Sequence, residues 1–355
     1  MEKLRDHPIL LMAKGEAQKA LYTPVWFMRQ AGRYQKSYRE IRSKVSSFWD
    51  LVKNPDLAAK VTLLPIYEFD FDAAILFSDI LTILEPFGFK IEFKNGIKIN
   101  PGLYDLTSQE IQQLLKTYDV ATKVDYVYET IRKILSKLED RPLIGFSGAP
   151  FTLALYLIEG GSSKKYEKVR IFMHTRKKDF HYIMDILSKT VESYLENQIK
   201  AGVHLVQIFD SWAGILSEKE YQTYVFPYTD RIIRNLKAKY KDIPIIHFGF
   251  NTYHLITLLK DLKADVLGVD HLVSLNKWIV GIENKMAVQG NLENILLYAP
   301  WEELKRETEK IIQRGLIAKG HIFNLGHGIL PTTPEENVKK VVKYIKEYSK
   351  TLRGI

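Results

Sequence analysis

VHLVQIF (203–209) is rich in β-branched and large apolar residues, and beyond Asp210 it gives way to a stretch of helical apolar spacing that opens on the capping-box signature Ser217-Glu-Lys-Glu220. A short apolar strand feeding a longer helix is a βα unit, and such units build parallel sheets. The same pairing recurs along the chain. Its strand members are PVWF (24–27), AAILF (73–77), PLIGF (142–146), VHLVQIF itself, IPIIHF (243–248), DVLGV (265–269), MAVQG (286–290) and HIFNL (321–325). Eight units in 355 residues predict an α/β fold of the TIM type, a (β/α)8 barrel, because a doubly wound open sheet usually needs fewer strands.

Between the second and third units, FKIEFKNGIKIN (89–100) alternates in polarity and contains Asn95-Gly96, which predicts a β-hairpin insertion rather than another barrel strand. Thr107-Ser-Gln-Glu110 has capping-box spacing, and Thr333-Pro-Glu-Glu336 adds proline at a first helical turn. No low-complexity linker, charge block or internal repeat divides the chain, so residues 1–355 are expected to form a single domain.

Composition excludes several chemistries. With no cysteine, disulfides, thiolate metal sites, iron–sulfur clusters and a cysteine nucleophile are all ruled out. Hydrophobic residues make up 46% of the chain, ample for a buried core. No apolar run reaches membrane-spanning length, and the opening MEKLRDHPILLMAKGE is too charged for a signal peptide, so a cytoplasmic protein without membrane partners is expected. The net charge of +9 favours an anionic partner. Lysines interleave with glutamates in WEELKRETEKIIQR and ENVKKVVKYIKEYSK, as on solvated helix faces, so nucleic acid is not expected. The nine histidines show no HExxH and no close pair backed by a carboxylate, which predicts no metal site.

A barrel's chemistry gathers where its strands end. Those positions are polar here: Arg29 and Arg33, Ser78 and Asp79, Asp210 and Ser211, Asn251, Asp270 and His271, Asn291, and His327. Two arginines four apart present planar forks suited to carboxylates, which implies an anionic substrate, although surface ion pairs are the commoner fate of arginine. Asp79 in ILFSDIL reads equally as a functional carboxylate or as a turn cap. His327 lies between Gly326 and Gly328, where the chain can approach a ligand closely, or it satisfies a core hydrogen bond. Tyr156, in LALYLIEGG, reads from position alone as a core aromatic. GFSGAP (145–150) and GGSS (160–163) match no phosphate-binding template and read as flexible turns or a lid.

PVWFMRQAGRY (24–34), DAAILFSDIL (72–81), GFSGAPFTLALYLIEGG (145–161), GVHLVQIFDSWAG (202–214), GVD (268–270), QGNLE (289–293) and FNLGHGILPTTPEENV (323–338), in this order, resemble the uroporphyrinogen decarboxylase family of haem and chlorophyll biosynthesis. The resemblance implies a distorted (β/α)8 barrel, a homodimer, that converts uroporphyrinogen III to coproporphyrinogen III by removing the carboxyls of four acetate side chains, with no cofactor. It places the family's substrate-contacting segment on Arg29, Gln30, Ala31, Gly32 and Arg33, with a further arginine at Arg42. It sets the central aspartate at Asp79, the tyrosine at Tyr156, the strand-end serine or threonine at Ser211 and the histidine at His327. Asp79, Arg29, Arg33, Tyr156 and His327 are the expected catalytic set, with Arg29 the proton donor or its electrostatic organiser and water or another arginine the alternatives. The chain departs from the family pattern at His271, where tryptophan often follows GVD, at Glu293, where aspartate is common, and across HFGFN (247–251).

Three other readings are weaker. A methyltransferase of the same barrel superfamily holds zinc with histidine and cysteine, and this chain has no cysteine. A tetrapyrrole carrier would use the same arginines and Asp79 without turnover, and a nucleic-acid binder would explain only the charge.

Overall fold

The computed structural model describes residues 4–94, 96–116 and 119–354. Its nine strands are β1 (Ala74–Ile75), β2 (Lys90–Glu92), β3 (Lys98–Asn100), β4 (Leu143–Gly148), β5 (Leu205–Asp210), β6 (Ile245–Gly249), β7 (Val266–Gly268), β8 (Ala287–Gln289) and β9 (His321–Ile322). Seven form one parallel sheet in the order β1, β4, β5, β6, β7, β8, β9, with helices between successive strands. These seven strands are short and mostly apolar, and all their residues but Ile75 and Phe209 are buried.

The first expected strand, PVWF, is reduced to a bridge that closes the ring. Val25 pairs in parallel with Phe323 beyond β9, Phe323 N–H donates to the Pro24 carbonyl at 2.8 Å, and on the other side Asp72 N–H donates to the Val25 carbonyl at 2.9 Å. Two features cause this: proline has no N–H, and Val25 N–H is taken by the Asp72 carboxylate at 2.8 Å rather than by a strand. The eight-unit barrel therefore stands, with one wall a single ladder rung wide.

Side chains fill the barrel. Phe146, Phe209 and Phe248 from three neighbouring strands stack edge to face, with centroids 5.6 and 5.9 Å apart. A polar chain crosses the ring beside them: Trp26 Nε1–H donates to Gln289 Oε1 at 2.9 Å, and Gln289 Nε2 donates to Gln207 Oε1 at 3.0 Å. β1 is too short to pair with all of β4, and where it stops the Gln198 amide bonds both Phe146 N–H and Phe146 C=O at 2.9 Å. Gly145 makes room for that amide, since a Cβ there would stand 2.5 Å from Gln198 Oε1.

The predicted hairpin is present as the antiparallel pair β2 and β3, although Asn95 lies outside the described residues. Thr107 and Ser217 cap their helices in reciprocal boxes with Glu110 and Glu220, as expected. At the third signature Pro334 is itself the N-cap of helix Glu335–Leu352, and the Thr333 hydroxyl is buried without a partner among the described residues. The GGSS turn, read from sequence as a flexible turn or lid, lies against the hairpin. It is stitched to the hairpin by Ile99 N–H to Gly160 C=O at 2.9 Å and Ser162 N–H to Ile97 C=O at 2.8 Å, and a Cβ at Gly161 would collide with Ile97 O at 2.1 Å.

His321 on β9 is 2% exposed, and its Nε2 meets the Gly290 carbonyl at 2.7 Å. Burial holds its pKa down, from 6.5 to about 4. As pH falls through 6.5 the unfolded chain takes a proton that the folded imidazole refuses, so this group's contribution to stability is lost between 6.5 and about 4. Between pH 7 and pH 5.5 the loss from His321 is about 1 kcal/mol in urea unfolding, and His321→Asn should flatten the pH dependence by that amount.

Candidate active site

β1 ends because Phe77 N–H is captured by Thr62 Oγ1 at 2.9 Å, which peels the chain away and turns Ser78 and Asp79 toward the C-terminal mouth of the barrel. Asp79 Oδ1 accepts the Leu81 N–H at 2.8 Å, so the capping role read from sequence is real. No protein donor bonds Oδ2 among the described residues. Burial pushes the Asp79 pKa up, while the Leu81 N–H and the charge of Arg29 pull it back down.

Arg29 stands in the left-handed region, φ 62°, which costs a non-glycine residue about 1 kcal/mol and implies that its surroundings hold it there. They do so from both ends of the chain. Gln30 donates Nε2–H to Ala73 C=O at 2.8 Å and accepts Phe27 N–H at 3.1 Å through Oε1, fixing the turn to β1. The aliphatic stem of Arg29 lies on Gly328, where a Cβ would stand only 2.6 Å from Cδ. Gly32 is also constrained, since a Cβ there would approach Arg29 O at 3.3 Å.

His327 is half-buried. Its Nδ1 accepts Gly328 N–H at 2.8 Å, which places the ring proton on Nε2 and makes that atom a donor. Burial first, then the charges of Arg29 and His271, hold its pKa down at about 4, so the ring is neutral near pH 7. The Phe250 ring meets it edge to face at 5.1 Å.

Tyr156, 8% exposed on helix Pro150–Glu159, is more than a core aromatic. Trp212 Nε1–H donates to its hydroxyl at 3.0 Å, and the Tyr166 ring meets its ring edge to face, centroids 6.5 Å apart. Its pKa is raised, by burial first, with the Asp79 charge adding to the rise and Arg29 opposing it. Arg29, Asp79, Tyr156 and His327 thus share one electrostatic neighbourhood although their positions span 29 to 327.

Arg33 and Arg42 form a second grouping, both acting on the hydroxyl of Tyr38, whose ring packs on Phe77 at 5.7 Å. Arg33 is exposed, and Arg42 is half-buried with Nη1 on the Val45 carbonyl at 3.0 Å. Ala31 packs on the same small cluster. Ser211 occupies the turn after β5, half-buried, directly before Trp212.

Other polar strand ends serve the frame. Asp210 is fully buried against Thr152 Oγ1 at 3.1 Å, and Asp270 accepts Asn251 N–H at 2.7 Å and Leu272 N–H at 2.8 Å. Asn291 Nδ2 bridges the carbonyls of Asp270 and Val273, each at 2.8 Å. Sequence reasoning missed Trp212, Tyr166 and Phe250. Trp212 stands next to Ser211 in FDSWAG, and the link to Tyr156 spans 56 positions, which leaves no local periodic trace. Among the described residues, no three histidine, aspartate or glutamate side chains are close enough to hold a metal ion.

A family model described as uroporphyrinogen decarboxylase (URO-D) matches residues 4–348. The chain belongs to this family. A uroporphyrinogen decarboxylase of Thermodesulfovibrio yellowstonii is 44% identical over 329 residues, covering 92% of this chain and 94% of that one. That of Bacillus subtilis is 41% identical over 355 residues, covering 97% and 96%. A methyltransferase from Methanosarcina mazei shares the fold, with TM-score 0.76 over 97% of this chain and 98% of that one, at 20% identity. The uroporphyrinogen decarboxylase segments quoted from the sequence thus fall within one matched region. Four of them converge on the mouth that holds Arg29, Asp79, Tyr156 and His327.

Because the Arg29 charge depresses His327, Arg29→Gln should raise the His327 titration midpoint above about 4 while burial keeps it below 6.5. Imidazole NMR titration, assigned with His327→Gln, reads this directly; an unmoved midpoint would show that the two groups do not interact.

Proposed function

We propose that this chain removes the carboxyl groups of the four acetate side chains of uroporphyrinogen III, giving coproporphyrinogen III, as a cofactor-independent carboxy-lyase. The observation that carries the reading is Asp79: a carboxylate at the barrel mouth with one oxygen free of donors among the described residues and a guanidinium close enough to shift its pKa. Family membership supports the substrate.

A porphyrinogen has saturated bridges, so its ring can pucker until the pyrrole N–H groups converge on one acceptor. Asp79 Oδ2 is that acceptor. Protonating a pyrrole carbon makes the ring a cationic electron sink. The bond between the acetate methylene and its carboxylate then breaks, and its electron pair flows into the ring. Carbon dioxide leaves, a proton is taken up at the methylene to give methyl, and the ring proton is lost. Each cycle consumes one proton and needs no oxidant or reductant. The carboxylate beneath the ring stabilises the cation, and charge stabilisation in a water-poor site is commonly the largest catalytic effect, roughly 3 to 4 kcal/mol per well-placed group.

Arg29 organises the charge, binding the departing carboxylate and tuning Asp79; as an acid near neutrality arginine is reluctant, so water relays the proton. His327, neutral above about 4, donates a hydrogen bond through Nε2–H rather than a proton. Arg33, Arg42, Ser211 and the Tyr156 hydroxyl receive the remaining side-chain carboxylates, with Gln30, Ala31 and Gly32 shaping the segment that presents them. The single domain, the homodimer and the cytoplasmic location belong to this proposal; no helix among the described residues is long and apolar enough to cross a membrane.

Asp79→Asn keeps an acceptor for Leu81 N–H and so should fold, yet it removes the counter-charge. Its turnover of uroporphyrinogen III, followed as hepta- to tetracarboxylate products under anaerobic conditions, should fall by roughly 10²- to 10³-fold. A folded variant with near wild-type turnover would falsify the role. Arg33→Lys keeps the charge but loses the fork, and should raise KM a few-fold; an unchanged KM removes Arg33 from substrate binding.

A further inference from the structure

Two side chains from successive strand-end loops meet in space. His271, in the loop after β7, places Nε2 3.7 Å from Oε1 of Glu293, in the loop after β8. The loop carrying His271 is rigidly built. Asp270 holds the backbone N–H groups of Asn251 and Leu272, Asn291 ties the carbonyls of Asp270 and Val273, and Gly326 lies so close that a Cβ would come within 2.4 Å of His271 N. The backbone that carries the imidazole is therefore held. Its Nδ1 is buried without a partner among the described residues, so the ring has only its Nε2 edge to offer a ligand.

That edge points at Glu293, but at 3.7 Å the pair is longer than a hydrogen bond, and the Glu293 side chain is 43% exposed. Among the described residues no other cation pairs with Glu293. The neighbourhood is that of the barrel mouth. Phe250 lies against both imidazoles, 6.1 Å from the His271 ring and 5.1 Å from that of His327. His327 in turn feels the charges of both Arg29 and His271.

We infer that His271 is a carboxylate-binding subsite at the rim of the site, occupied in the free protein by Glu293, which an incoming side-chain carboxylate of the substrate displaces. The inference rests on the proposed function for the identity of that carboxylate. A loosely held internal anion is a competitor: it keeps the donor from pairing elsewhere and lowers affinity by the work of its removal. The two partners therefore have opposite effects on binding, which a pair that merely braces two loops would not show.

The test is fluorescence-quench titration with uroporphyrin, the planar oxidised octacarboxylate, on the full chain and three variants. His271→Gln should weaken binding about two- to fivefold, as expected for the loss of one hydrogen-bonding contact. Glu293→Gln should tighten it by a similar factor, and the double variant should bind like His271→Gln, because the glutamate acts through the histidine. Shifts in the same direction for both single variants, or no shift in either, would overturn the subsite. If His271→Gln fails to fold by near-UV circular dichroism, His271→Asn takes its place. Turnover of uroporphyrinogen III by the unaltered chain is measured alongside: no carbon dioxide release would end the proposed function, while the opposing affinity shifts would still decide the subsite.

Discussion

The position of one guanidinium governs the site. Arg29 emerges from the rung that closes the barrel, in a strained left-handed conformation, and its stem rests on the backbone of Gly328, which follows the last strand. Its charge opposes the rise in the proton affinity of Asp79 and Tyr156 and deepens the fall in that of His327. Closing the ring and setting the electrostatics are therefore one event. The first and eighth units must dock before the charge that organises the second, third and eighth is in place.

Dense burial makes this precision affordable. Phe146, Phe209 and Phe248 fill the barrel beneath the mouth, and replacing either of the buried pair, Phe146 or Phe248, by alanine would cost about 3 to 5 kcal/mol. Loops above such a floor can be held by hydrogen bonds alone, as Asp270 and Asn291 hold theirs. Strand-end polarity thus divides between groups that gather at the mouth and groups that keep the first kind still, a division that chemical type does not announce.

The parallel sheet was legible because its strands are short apolar runs set before helical spacings, and because Ser217 and Thr107 signal helix starts through local chemistry. PVWF was legible as a run yet narrowed to one rung, since the Asp72 side chain that captures Val25 N–H comes 47 positions later. The same limit applies to the site. Arg29 and Arg33 stand out by spacing, but Asp79 reads locally as a cap, which it also is, and the ligand-binding role proposed for it rests on family likeness rather than on local pattern. The contact of Trp212 with Tyr156 and that of His271 with Glu293 join separate units, and no periodicity records them.

The polar chain across the barrel has a sense of direction. Indole is a donor only, so Trp26 obliges Gln289 to turn its oxygen toward it and its nitrogen onward, and Gln289 imposes the same orientation on Gln207. Two amides that would otherwise be free to flip are thereby locked, and the sequence of donors ends at Gln207 Nε2, which is buried and finds no acceptor among the described residues. An unmet donor of this kind costs about 1 to 3 kcal/mol. The barrel interior therefore carries a built-in polarity, running from the closing rung to β5, that a phenylalanine at position 26 would erase.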